Sequence, residues 1–319
     1  MMGSERNGAV VEGGARLAGL ASKQARLLFS MLGRLFDTLM RPVEAWRLRW
    51  FECSMVVALL IDAGWRFVHW REALTHWGFH PAPEEMWQMG YMKTFPLPPP
   101  WAIPLIGFFI LLAAAAVLFN KGRRVGLWGM FATAVWIFGI DPWTTQALNR
   151  IFIGVFLLLA TAPGYTTNER GERSIPWSVI GVFQAMLVII YFAAGWTKVF
   201  QGEWMKNHLC LWNIVQGYHR TDEAAFLLRH LPVWMWTVMQ YSTLAFELGA
   251  PLWFSLRWTR PFAVIFGISL HIGIAILMER LFFFGAVMLS FYWLFVTKAW
   301  IYLIRSRAKQ WWLDRPTTG

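Results

Sequence analysis

Long apolar runs broken by short polar turns dominate the hydrophobic pattern of this chain. Several approach or exceed the about 18–20 residues needed to cross a hydrocarbon core of about 30 Å. Eight such segments are read, near 48–70, 101–120, 124–141, 147–163, 178–199, 232–256, 261–279 and 281–304. The separators are turn-forming: PLPPPW before the second segment, Asp141-Pro142 after the third, Ala162-Pro163-Gly164 after the fourth, Thr259-Arg260-Pro261 before the seventh. The pattern predicts an all-α, polytopic membrane bundle of about eight spans. It divides the chain into an N-terminal segment 1–45, a transmembrane domain 46–304 and a tail 305–319.

Basic residues fall between the apolar runs, and their distribution sets an orientation. Arg34, Arg41, Arg47 and Arg49 precede the first span, and Lys121, Arg123 and Arg124 follow the second. Arg170 and Arg173, Arg257 and Arg260, and finally Arg305, Arg307 and Lys309 continue the series on the same side. Both termini are therefore expected in the cytoplasm. The long loops 71–100 and 200–231, rich in Trp and His, face the periplasm or a lumen.

Composition agrees with this picture. Hydrophobic residues make up 57% of the chain and charged ones only 15%, with 22 Trp and 26 Phe; soluble domains carry roughly a quarter charged. The net charge of +11 would point to nucleic acid in a soluble protein. Here topology accounts for it, and no nucleic-acid partner is expected. Residues 1–15 are polar and Gly-rich, unlike a cleavable signal. Residues 16–40 space Leu, Phe and Met among Arg and Lys, as in a helix lying on an anionic leaflet or an ordinary first helix packed on the bundle. The two cysteines, Cys53 and Cys210, are expected on opposite sides and unpaired.

A charge inside a membrane needs a partner or a purpose. Asp62 and Arg66 stand one helical turn apart and can form a structural ion pair, as can Arg49 and Glu52. Glu247 and His271 lie near the middles of the sixth and seventh spans, each about twelve residues from the turn between them. Equal depth on antiparallel neighbours would allow a Glu–His hydrogen bond, serving as a tie between helices, a proton relay or an anchor for a lipophilic ligand. Lys198 closes the run YFAAGWTK at the periplasmic end of the fifth span. It reads either as a lysine snorkelling to headgroups beside Trp196 and Trp204, or as a partly buried amine able to act as a base. Gly-rich phosphate loops, HExxH and CxxC are missing, and the histidines, His76 and His80 included, lack metal-ligand spacing. No metal is expected.

The segment YFAAGWTKVFQGEW resembles the "YF-x-AG-x-x-K … W" segment of the vitamin K-dependent gamma-carboxylases. Their bacterial relatives share with them the HTTM (horizontally transferred transmembrane) domain. ELGAPLWFSLRWTR, GISLHIGIAILMERLFFFGAVMLSFYWLF and, more weakly, LRWFECSMVVALLIDAGWRF extend the resemblance over about 46–298. The resemblance implies a membrane core that binds a quinone-like or other lipid ligand. Lys198 would be the candidate catalytic base, with Glu247, His271, Trp196 and Trp204 around the ligand. Thr197 stands where the carboxylases have a second lysine, and their Asn-His-Tyr motif has no counterpart in TAPGYTTNERGERS. Their large lumenal domain is also without a counterpart, so propeptide-directed carboxylation is not expected.

Two functions follow as expectations. One is a ligand-binding membrane protein, enzymatic or not, in a bacterial inner membrane. The other is a non-catalytic scaffold or accessory subunit of a larger membrane complex, redox or photosynthetic, whose tryptophans pack against partner subunits.

Overall fold

A computed structural model describes residues 30–78, 95–140, 146–167, 171–302 and 306. Within the expected interfacial helix over 16–40, residues 30–40 are helical with largely exposed side chains. Its beginning, most of the 71–100 loop, Asp141-Pro142, Arg170, His80 and the tail apart from residue 306 lie outside the described residues.

The described chain is mostly helical, and the long apolar segments all form helices. The elements are α1 (Trp46–Val68), α2 (Trp70–Leu74), α3 (Ala102–Leu118), α4 (Arg123–Ile140), α5 (Gln146–Thr161) and α6 (Trp177–Phe200). After these come α7 (Cys210–Val215), α8 (Asp222–His230), α9 (Val233–Leu248), α10 (Ala250–Ser255), α11 (Arg260–Leu277) and α12 (Phe282–Phe291). By length and composition two of them, α6 and α11, suffice to cross a membrane.

Two expected segments are broken. The sixth stops at Gly249 and resumes as α10, which carries Pro251 in its first turn. A proline has no N–H to give to the carbonyl four residues back, so the ladder cannot run through Glu247 unbroken. The eighth ends as a helix at Phe291, tightens to a 3-10 turn over Tyr292–Leu294 and becomes helical again only near 298–302.

The chain divides into two compact units. One takes in the described residues up to Glu44 together with those between 165 and 181. Its described core is a three-stranded antiparallel sheet of order β1-β3-β2: β1 (Pro42–Glu44), β2 (Thr166–Thr167) and β3 (Arg173–Pro176). Gly171, at a φ of +73°, makes the approach to β3 that a side chain would resist. The sheet is a small addition to the all-α architecture.

The other unit, within 45–164 and 182–319, is helical in its described residues. Leu48, Phe51, Met55, Leu59 and Ala63 form one buried stripe on α1 at helical spacing. Phe51 meets Phe183 of α6 and Phe291 of α12, with ring centroids 4.9 and 5.1 Å away. Polar residues on that stripe are paired: Arg66 Nε lies 3.4 Å from Asp62, and Glu52 takes Arg49 at 3.7 Å and Arg123 of α4 at 2.6 Å. The outward surface is apolar instead. Leu105, Phe108, Phe109 and Leu112 on α3, and Ile265, Ile272 and Ile276 on α11, are all exposed.

Candidate functional site

The motif YFAAGWTK places three residues on one face of α6, because Tyr191, Gly195 and Lys198 follow the helical period. Gly195 is the contact point with α9. A Cβ at this position would stand 2.9 Å from Cβ of Glu247 and 3.0 Å from the backbone nitrogen of Leu248. This close approach brings Lys198, one turn further on, to Glu247. The Lys198 ammonium donates to both carboxylate oxygens, at 2.5 Å to Oε2. It also lies 4.9 Å from the ring centre of Trp204, a cation–π arrangement. Lys198 thus turns to a buried carboxylate.

The pair ends a cavity of about 520 Å³. Val238, Met239, Ser242 and Thr243 of α9 line one wall, and Ser269, Leu270, Gly273 and Ile274 of α11 the other. The two helices touch where Phe246 meets Phe266, with centroids 4.7 Å apart, and the cavity fills the space between them beyond that contact. Val238 and Ser269 are exposed, so the cleft opens sideways between α9 and α11.

The 200–231 loop roofs the cleft. Fully buried Gln240 of α9 donates to the carbonyls of Trp204 and Asn207 at 2.8 and 2.9 Å and accepts from Leu211 N at 2.9 Å. On the other side Thr221 caps α8, accepting from Ala224 N at 3.1 Å, and donates to the Ile276 carbonyl of α11 at 2.6 Å. Arg220 and Met278 form an antiparallel bridge beside it. Val215, Ala224, Trp236 and Met278 pack as a small core under this roof. Burial and the Glu203 carboxylate push the Cys210 thiol, at the start of α7, above its usual value.

Several expected relationships differ. Glu247 and His271 do not bond to each other. Counting from a turn gives depth but not direction around the helix, and Glu247 faces α6. Nε2 of His271 meets the hydroxyl of Tyr191 at 2.7 Å, and Tyr191 also shares a hydrogen bond with Tyr292 of the 3-10 turn. Nδ1 of His271 is buried without a partner among the described residues. This cluster lies behind the cleft, and His271 does not line it. Trp196 does not line it either. It sits one residue past Gly195, about 100° around the helix. There it packs half-exposed in an outer row with Phe192 and Phe200. Thr197, also exposed, donates back to the Ala193 carbonyl.

The sequence reading missed Gln240, Thr221 and Tyr292. A neutral amide in WTVMQYSTLAF was a visible signal for Gln240, since an amide inside an apolar span needs partners. Cys53 and Cys210 are free thiols. Among the described residues no group of His, Cys, Asp and Glu gathers as a metal site.

Chemically, the site is an apolar cleft with one charge-balanced polar end. As an ion pair, Lys198 is a donor and Glu247 an acceptor. For Lys198 to act as a base, its proton would first have to pass to Glu247. Comparison of the chain with protein-family models, with curated proteins and with solved structures gives no match in any of the three.

Proposed function

We propose that this chain is a polytopic protein of a bacterial inner membrane, similar to the HTTM core of the gamma-carboxylases, that holds a lipid-soluble ligand in the cleft between α9 and α11. The ligand is a quinone or another lipid with a polar head. The observation that carries this reading is the placement of Lys198 and Glu247 at the end of a largely apolar, sideways-opening cavity. Unlike the pairs of α1, this pair of charges borders a cavity, where a polar group of a ligand can reach it.

The bilayer part of the reading rests on the exposed Leu, Ile and Phe side chains of α3, α6 and α11, which water would not tolerate as one surface. Eight spans with cytoplasmic termini follow from the apolar runs and the basic turns. Reporter fusions after residues 122 and 217 should then report opposite sides of the membrane.

In the cleft the ammonium of Lys198 donates to a ligand oxygen while the Glu247 carboxylate accepts from a ligand hydroxyl. Proton transfer from ligand to carboxylate is the simplest chemistry available there, and it makes Lys198–Glu247 the candidate acid–base unit. The test is mass spectrometry of lipids extracted from the purified protein. A lipid-soluble species should copurify at near one per chain with the wild type and be depleted at least five-fold from Lys198→Met. Equal lipid profiles for the two proteins would overturn the reading.

A second reading, a non-catalytic subunit of a larger membrane complex, is favoured by one feature. Trp50 and Trp293 stack with centroids 5.2 Å apart beside a shallow outer hollow of about 390 Å³ between α1 and α12. Stoichiometric copurification of another membrane protein, with no bound lipid, would select it.

A further inference from the structure

The cleft has polar groups at a second place, without partners among the described residues. A serine or threonine inside a helix ordinarily donates to the carbonyl one turn back. Ser54, Thr133, Thr161, Ser255 and Ser290 all do so here, bonding to the carbonyls of Trp50, Gly129, Leu157, Pro251 and Ala286. Ser242, Thr243 and Ser269 behave differently. Their hydroxyls make no hydrogen bond among the described residues, and all three residues line the cleft. None of the three hydroxyls is sealed off, and Ser269 is exposed, so each is open to a partner that enters the cleft.

Placement adds to this. Ser242 and Thr243 come from α9 and Ser269 from α11, so both walls of the cleft contribute hydroxyls. Thr243 precedes Glu247 by one helical turn, which sets it about 6 Å along α9 from the carboxylate. Lys198 and Glu247 already balance each other, so an anionic head would have to displace Glu247 from Lys198. An uncharged head can instead bond to both members of the pair.

We infer that Ser242, Thr243 and Ser269 form a second polar contact in the cleft. It selects an uncharged lipid bearing a second oxygen function about one helical turn from the one held at Lys198 and Glu247. The inference rests on the reading of the cleft as a lipid site. It adds that the ligand is recognised at two points, with its chain leaving between Val238 and Ser269.

The test uses the full chain in lipid nanodiscs and two radiolabelled probes of equal chain length, monododecanoylglycerol and dodecan-1-ol. The first has an ester carbonyl as well as hydroxyls, the second a single hydroxyl. Each is measured on the wild type, on Lys198→Met and on the triple variant Ser242→Ala, Thr243→Val, Ser269→Ala. Comparing the same probe across proteins cancels its partition into the bilayer. The triple variant should lose about ten-fold in affinity for monododecanoylglycerol and less than two-fold for dodecan-1-ol, as expected for lost neutral hydrogen bonds. Lys198→Met should weaken both probes. If the triple variant weakens neither probe, or both equally, while Lys198→Met still weakens both, the second contact is wrong and the cleft reading stands. If neither probe binds the wild type saturably, both fall together.

Discussion

Gly195 and Glu247 lie back to back: a Cβ built on the glycine would stand 2.9 Å from Cβ of the glutamate. The contact fixes the crossing of α6 over α9, and it is why Lys198 finds a carboxylate. Enlarging Gly195 should therefore disturb the site and the fold together. Gly195→Leu should destabilise the protein by about 1–3 kcal/mol in detergent, as overpacking does, with Gly195→Ala milder. Lipid copurification should drop with it. Thermal unfolding of the two variants that matches the wild type would remove Gly195 from this role.

Breaking the ion pair from one side leaves the other charge in an apolar wall. Lys198→Met should cost about 2 kcal/mol, below the range for fully buried pairs because the lysine side chain is 24% exposed. The double variant Lys198→Met, Glu247→Leu should recover most of that loss, since neither charge remains. Additive losses in a denaturant titration of the four proteins would show that the two residues do not couple.

Tyr191 holds the cluster behind the cleft, with His271 and Tyr292 both bonded to its hydroxyl. Tyr191→Phe should destabilise by about 1–3 kcal/mol, the cost of leaving buried polar groups unmatched. Adding His271→Leu should restore part of it. Because His271 does not line the cavity, ligand affinity at saturating stability should change less than two-fold. A large loss of binding in Tyr191→Phe would place the cluster in the site itself.

Cys210 gives a pH signature for the roof. Its thiol is held above the usual value by burial first and by Glu203 second. The reactive form is the thiolate, so raising the pKa lowers the reactive fraction at any given pH below it. Alkylation at Cys210, followed by peptide mapping to separate it from Cys53, should be slower at pH 8 than at an ordinary thiol, whose pKa is about 8.5. The midpoint of its rate against pH should lie above that of a free cysteine measured alongside. A midpoint at or below that of the free thiol would mean that the roof does not bury this residue as described.

Much of the helical layout was legible in the sequence. Apolar runs of bilayer length and proline-marked separators located the helices, and residue type alone singled out Lys198, Glu247 and His271 as groups needing partners. The partners themselves were not legible. Helical counting placed Glu247 and His271 at equal depth, but the face each presents depends on how α6, α9 and α11 cross. That crossing is set by Gly195 and by the ring contact of Phe246 with Phe266. The break at Gly249 and Pro251 was written in LGAPLW, yet a hydropathy window runs straight across it. Gln240 and Thr221 escaped because neutral polar residues stand out less than charges. Their importance comes from the loop carbonyls and the α11 carbonyl they bond, which lie far away in the chain.

The central claim is that Lys198 and Glu247 face the polar head of a lipid-soluble ligand. An experimental density map of the protein in nanodiscs, with nothing added, tests it most directly. Non-protein density should lie within hydrogen-bond reach of Lys198 Nζ and continue past Thr243 and out between Val238 and Ser269. A cleft that is empty, or filled by an acyl tail that touches neither Lys198 nor Glu247, would contradict it.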